Sequence, residues 1–141
     1  MSSTAPKFAC AIVVDTHGRF LLQLRDRKPT IRYPGKIGLF GGHREAGETT
    51  LQCVEREIYE EIGCQAPPEA FERVATFSGI EATGTYRVEI FALFDVRVSD
   101  LTIAEGSLLI VAPEDVFGLT DHLTPSAAFG LEVFLGRQEA Q

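Results

Sequence analysis

The sequence predicts an α/β fold in which helices cover a mixed sheet, and three observations carry that prediction. Tyr86 to Val98 alternates apolar residues with mostly polar neighbours, a period of two throughout. Thr49 to Gly63 holds apolar residues at helical spacing between two capping signals. Further β-prone runs, separated by turn signals, lie on either side of these two, and a second helix pattern closes the chain, the order expected of layered sheet and helices.

The elements follow in chain order. Phe8 to Val14 is a continuous β-prone run, as expected of a strand covered on both faces. Asp15-Thr16-His17-Gly18 is a turn, and Phe20 to Leu24 returns as the second strand of a hairpin. Asp26 to Gly38 is rich in Arg, Lys, Pro and Gly and reads as a loop, after which Leu39-Phe40 forms a short strand running into Gly41-Gly42. Thr49 and Gln52 have the capping-box spacing, in which hydroxyl and amide satisfy end N–H groups reciprocally. Leu51, Val54, Ile58 and Ile62 form the packing stripe of that helix, and Gly63 ends it. A strand over Phe71 to Ser78 precedes the long one, and Leu108 to Val111 gives another. Pro113 opens a short helical turn. Thr124 as N-cap and Pro125 at the first helical position open the last helix, with Ala127, Ala128, Leu131, Phe134 and Leu135 as its buried face.

The chain's 141 residues suit one domain over residues 1–141, with 45% hydrophobic and 23% charged residues, near the globular average. Met1 to Pro6 is small and polar and does not read as a signal peptide. Phe8 to Val14 is far short of the ~20 residues that span a bilayer, so no membrane association and a cytoplasmic location are expected. Cys10, Cys53 and Cys64 are odd in number and form no close-spaced pair, so they read as reduced, buried small hydrophobes. The net charge of −7 argues against a nucleic-acid polymer as partner. It leaves a small phosphorylated substrate open, because carboxylates can hold divalent cations that meet the phosphates.

One helix concentrates the chemistry. At ~100° per residue, Glu57, Glu60 and Glu61 fall within an arc of about 100°, beside the apolar stripe. Like charges on neighbouring turns repel by a few tenths of a kcal/mol per exposed pair, roughly, and by more if partly buried. Cations among them would relieve that repulsion, and oxygen-only ligands select a hard ion, Mg²⁺ or Mn²⁺. A solvated acidic face is the alternative. The preceding Gly41-Gly42 would let the backbone approach a ligand closely.

Read together, Gly42, five residues, Glu48, seven residues, then Arg56-Glu57-Ile58-Tyr59-Glu60-Glu61-Ile62-Gly63-Cys64 resembles the Nudix box, G-x5-E-x7-R-E-U-x-E-E-x-G-U, with U a bulky aliphatic residue. Every fixed position matches; Cys64, at the last U, departs only at a packing position. The chain thus resembles the Nudix, MutT-like hydrolases of nucleoside diphosphates linked to another group. That resemblance implies an α/β/α sandwich with a mixed sheet and a Mg²⁺-dependent diphosphatase, with Mn²⁺ as a substitute ion. It implies Glu57, Glu60 and Glu61 as metal ligands and the Gly41 carbonyl as an additional one. Arg56 would hold the carboxylates in orientation. Glu48 would either stabilise the loop–helix junction or join the metal network. Ala104-Glu105-Gly106-Ser107 resembles the E-G-Q segment of several branches, so Glu105 is expected as general base, with Ser107 a departure. Homodimers are frequent in the family and are one expectation here.

The rest of the substrate's site is less specified. Arg25, Arg27, Lys28 and Arg32 could meet distal phosphates or stand as solvated loop charges, while Gly42 would approach the substrate through its backbone. Phe40, Tyr33 and Phe77 could stack on a base or fill the core. The upstream segment Leu21 to Arg25 departs from the coenzyme A diphosphatase signature at Gln23. The chain has no Asn and no Trp, which weakens an oxidised-guanine role, and the element associated with ADP-ribose hydrolases is missing. Nucleoside triphosphates are therefore the first expectation. A silent nucleotide sensor is the alternative; an isopentenyl-diphosphate isomerase is a third class, and it departs from this box.

Overall fold

The structure, a computed structural model, describes residues 5–139. Most of the Met1–Pro6 segment read above lies outside the described residues. The strands are β1 (Phe8–Asp15), β2 (Phe20–Leu24), β3 (Ile37–Gly38), β4 (Phe40–His43), β5 (Glu72–Glu81), β6 (Gly84–Val96) and β7 (Ser107–Val111). The helices are α1 (Thr50–Ile62) and α2 (Pro125–Glu139), with 3₁₀ segments at Pro68–Ala70, Val98–Asp100 and Pro113–His122.

Strand β1 organises the sheet. It runs parallel to β6 on one edge, whereas the other strand pairs are antiparallel, so the sheet is mixed. Its side chains alternate between two cores, as a pleated strand requires. Cys10, Ile12 and Val14 join Ala127, Leu131 and Phe134 of α2 on one face, while Ala9, Ala11 and Val13 join Cys53, Val54, Ile58 and Ile62 of α1 on the other. Each fully buried Leu, Ile or Phe there contributes about 1.5–3 kcal/mol. This is the α/β/α sandwich the family resemblance implies.

The hairpin of β1 and β2 splits open at one end, and that split positions the site. Only Val13–Leu21 and Val14–Phe20 pair between them. Beyond that, β4 lies along β1 from Ala11 to Phe8, β3 pairs Gln23 and Leu24 of β2, and β7 takes the other edge of β2. The turn is set by Asp15, whose carboxylate accepts from the backbone N–H of His17 (2.9 Å) and Arg19 (2.8 Å) and from Arg19 Nε (2.8 Å). Burial works the other way, but these bonds hold the Asp15 carboxyl below its ordinary range.

Several expectations need correcting. The loop read as Asp26 to Gly38 gives its last two residues to β3, and the strand expected at Leu39-Phe40 begins at Phe40 and runs as β4 through Gly41-Gly42 to His43, with Leu39 between the two strands. Backbone pairing with Ala9 and Cys10 makes that strand, which glycines do without favouring it by propensity. The 71–78 strand extends to Glu81, and the 86–98 strand begins at Gly84 and ends at Val96, since Val98 turns into a 3₁₀ segment. Glu89, Phe91 and Leu93, between the alternating apolar residues, are buried as well, so β6 is covered on both faces there. On α1, Cys53 is buried while Leu51 only borders the core. The three cysteines are free thiols, with Cys10 and Cys53 buried. Among the described residues no helix is long and apolar enough to cross a membrane.

Candidate active site

Helix α1 is clamped at both ends. The Thr49 hydroxyl accepts from Gln52 N–H (3.0 Å), and the Gln52 side chain accepts from Thr49 N–H (2.9 Å); losing such a cap costs about 1 kcal/mol. Gly63 closes the helix in the left-handed region (φ 70°). Between the caps, burying Val54, Ile58 and Ile62 rotates Glu57 and Glu61 inward toward β4, while Glu60 stays half exposed.

The two glycines of β4 make room for these carboxylates. Gly41 (φ 152°) lies so close to β1 that a Cβ would overlap the Ala9 carbonyl and Cys10. Its N–H donates to Glu61 Oε1 at 2.9 Å. A Cβ on Gly42 would collide with the Glu57 carboxylate, its Cδ included at 2.6 Å.

Arg56 ties the cluster together. Its Nε and NH2 fork onto the Glu48 carboxylate at 2.6 and 2.9 Å, and NH1 donates to Glu57 Oε2 (2.8 Å) and Glu60 Oε1 (3.2 Å). NH2 also reaches the His43 carbonyl at 3.1 Å, which joins the helix to β4. Glu48 Oε1 takes Glu45 N–H at 2.9 Å as well. The Arg56 fork, then Glu45 N–H, hold the Glu48 carboxyl down to about 2. With its folded-state pKa below the ordinary 4.5, the stabilisation this pair supplies is fully present above that value and lost as pH falls toward 2. The gap in thermal midpoint between the wild-type protein and Glu48→Gln is therefore expected to shrink from pH 6 to about pH 3; a gap independent of pH would contradict this role.

Glu105 arrives from a distant loop, and the structure brings it to the helix. Thr102 N–H (3.0 Å) and Ala104 N–H (2.8 Å) donate to the carbonyls of Ile62 and Glu61, two of the acceptors a helix C-terminus leaves open. Gln23 Nε2 donates to the Glu105 carbonyl at 3.1 Å from the opposite side. Gly106 turns with φ 69° against the Leu24 carbonyl. So pinned, the Glu105 carboxyl meets that of Glu61. Burial pushes the Glu61 carboxyl up to about 9 against the pull of Gly41 N–H, and the neighbouring Glu105 and Glu57 carboxyls push the same way. Gln23 is buried and also accepts from Arg25 NH1 (3.3 Å). No local pattern around Gln23 signals this bridging task, because it depends on a loop 82 residues away.

Two adjoining cavities of about 330 and 580 Å³ share Arg25, Glu57, Glu61 and Glu105 in their walls and form one cleft. One half adds Glu60 and Lys28; the other adds Phe8, Tyr33, Tyr86, Arg32 and the start of α2 at Thr124 and Ser126. Of the expected basic residues, Arg25, Lys28 and Arg32 reach this cleft. Arg27 does not line it; it is exposed and lies against Gly35, a Cβ on which would meet Arg27 Cγ at 3.3 Å. Phe40 is fully buried, and Phe77 packs on Tyr86 and Phe129, so both serve the core, whereas Tyr33 faces the cleft.

The donor set is one of carboxylate oxygens, the chemistry that suits a hard divalent cation. Among the described residues no three acidic, His or Cys side chains are already closed around one point. Glu57 and Glu60 are turned to Arg56, and Glu61 to Gly41.

Comparison with known proteins follows the same lines. Residues 4–125 match the NUDIX domain family. A segment of 68 residues, 47% of the chain, is 41% identical to Nudix hydrolase 3 of Arabidopsis thaliana, and the match spans only 8% of that protein's length. The MutT NUDIX hydrolase from Burkholderia pseudomallei superposes with a TM-score of 0.70 at 25% identity, covering 92% of this chain and 98% of that one. The NUDIX domain of Shewanella oneidensis NrtR, solved with ADP ribose, superposes with a TM-score of 0.74 at 20% identity over 97% of this chain and 90% of that one.

Proposed function

The chain belongs to the NUDIX domain family, and from that membership we propose that it is a cytoplasmic, Mg²⁺-dependent hydrolase cleaving a diphosphate linkage in a nucleoside diphosphate derivative, nucleoside triphosphates first. The observation that carries this reading is that Glu57 and Glu105 both neighbour the buried Glu61 carboxyl and that all three line one cleft with Arg25. Carboxyls forced together in partly apolar surroundings are costly unless something positive joins them, and a hydrated divalent ion with its substrate phosphates is the partner that fits.

Glu57, Glu60 and Glu61 would hold Mg²⁺, or Mn²⁺ in its place, with the Gly41 carbonyl beside them. When bound, the ion neutralises diphosphate oxygens and makes water a better nucleophile. The remaining tasks belong to the chain's own residues. Arg56 keeps Glu57 and Glu60 oriented, the outer support that metal-site carboxylates require. Glu48, with both oxygens engaged, anchors Arg56 rather than the ion. Glu105, fixed by its loop and by Gln23, takes the proton of the attacking water. Arg25 and Lys28, which line the same cleft, would meet the phosphates, and Gly42 would let the chain pass close beside them. Arg27, outside the cleft, has at most a long-range electrostatic part. A silent sensor would need no such complete set of carboxylates, so the enzyme reading is the better supported.

The test is a hydrolysis panel of nucleoside triphosphates, dinucleoside polyphosphates, nucleotide sugars, ADP-ribose and coenzyme A, run with Mg²⁺ and with excess chelator. Release of a nucleoside monophosphate from at least one compound, abolished by chelator, is expected. Turnover that persists in chelator, or none across the panel, would contradict the reading.

A further inference from the structure

In the half of the cleft that lacks Glu60 and Lys28, three aromatic rings surround one of the protein's own side chains. The Arg32 guanidinium lies 4.7 Å from the ring centroid of Tyr86, 5.1 Å from Phe8 and 5.6 Å from Tyr33. All three rings line the cavity that contains Glu57, Glu61 and Glu105, together with Leu39 and Val88. They are braced by their neighbours. Phe8 and Tyr86 meet edge to face at 5.9 Å, and the Tyr33 and Tyr86 hydroxyls are 3.4 Å apart. Tyr33 sits in the left-handed backbone region (φ 49°), an uncommon place for a bulky residue.

Arg32 itself is held lightly. Its charged partner is Glu81 at 3.1 Å, with side-chain exposures of 40% and 34%, and exposed ion pairs of this kind exchange readily with water. The Arg32 carbonyl accepts from Arg25 Nε at 2.7 Å, so the backbone there is tied to the residue facing the phosphates while the guanidinium can swing away. A guanidinium is flat and stacks on aromatic faces. The surfaces it covers are therefore those a planar ring of the substrate would use.

We propose that Arg32 acts as a plug: in the free protein its guanidinium covers the Phe8, Tyr33 and Tyr86 rings on which the substrate's nucleobase would stack, and it is displaced when the base binds. This rests on the hydrolase reading for the identity of the ligand. Arg32 is then a specificity-determining residue. A base must outcompete the guanidinium, so rings with strong stacking are admitted in preference to substrates that carry no ring. The exchange also frees the guanidinium's donors beside the loop that carries Arg25.

Calorimetric titration tests this without turnover, using adenosine, guanosine, cytidine and uridine monophosphates and, as the ringless probe, ribose 5-phosphate, all with Mg²⁺. Arg32→Ala is expected to bind at least one nucleoside monophosphate about two- to tenfold more tightly than the wild-type protein, the scale of the stacking and exposed pairing it removes. Ribose 5-phosphate should gain nothing. Tyr33→Ala, at an exposed position, is expected to weaken the nucleotides and spare ribose 5-phosphate. Equal or weaker nucleotide binding by Arg32→Ala would overturn the proposal, as would a gain shared by ribose 5-phosphate. So would nucleotide binding indifferent to Tyr33, or no measurable nucleotide binding at all. Failure of the hydrolysis panel beside a positive titration would remove the enzyme reading and leave the plug standing; the reverse pattern would remove only the plug.

Discussion

Glu61→Gln is expected to lower kcat/KM for the hydrolysed nucleotide by at least about a hundredfold, since losing even an outer partner of a metal site costs 10–100-fold. The thermal midpoint should hold or rise. Both outcomes have one cause. The Glu61 carboxyl is buried beside Glu57 and Glu105, and burial with their like charge raises its pKa to about 9. Between its ordinary value and that raised one, folding must therefore take up a proton at this carboxyl, which costs stability at neutral pH, and a neutral amide of the same shape avoids that cost and can still accept the 2.9 Å bond from Gly41 N–H. Glu60→Gln, at a half-exposed position, should cut the rate by orders of magnitude as well, with little change in stability. Steady-state kinetics beside thermal unfolding of the same preparations separates the cases. Near wild-type activity in Glu61→Gln and Glu60→Gln would remove the carboxylates from the chemistry.

The second large effect divides two adjacent glycines by what each would strike. Gly41→Ala places a methyl group into the Ala9 carbonyl and the Cys10 backbone, at a φ of 152° that L side chains rarely adopt. Backbone cannot yield as a side chain does, so overpacking of about 1–3 kcal/mol adds to backbone strain of similar order, ~1–3 kcal/mol. For a small domain that is a large share of a total stability of about 5–15 kcal/mol. The nearest atoms that Gly42→Ala meets belong to the Glu57 carboxylate, the far end of a side chain that can rotate away. It is expected to leave the fold nearly intact and to lower activity about tenfold or more, as misplacing a site's support does. Chemical denaturation and kinetics on the two variants read the contrast. Equal loss of stability in both would show that Gly42 is a folding residue instead.

The parts of this site that could be read from the sequence are those governed by local periodicity. Glu57, Glu60 and Glu61 share a side of α1 because the helical repeat places them there, and Thr49, Gln52 and Gly63 mark its ends by their own hydrogen-bonding and conformational preferences. Glu105 was expected through the resemblance of Ala104-Glu105-Gly106-Ser107 to a family segment, and its arrival at Glu61 depends on helix-end carbonyls that only the folded chain reveals. The Gly41-Gly42 ladder was read short because its cause is backbone pairing with β1, which leaves no side-chain pattern. The bridging task of Gln23 and the placement of Arg32 were opaque for a similar reason. Gln23 bridges a loop far along the chain, and Arg32 lies among rings from three separate segments. Arg25 and Arg27 look alike in sequence, two residues apart, yet only Arg25 lines the cleft.

The most direct measurement is a crystal structure with Mn²⁺ and a non-hydrolysable nucleotide, the ion located by its anomalous scattering. Metal peaks bridging the carboxylates of Glu57, Glu60 and Glu61 to a phosphoryl oxygen, with Glu105 turned toward the reacting phosphorus, are the expected result. A bound nucleotide with no ion at those carboxylates, which remain turned to Arg56 and Gly41, would contradict it.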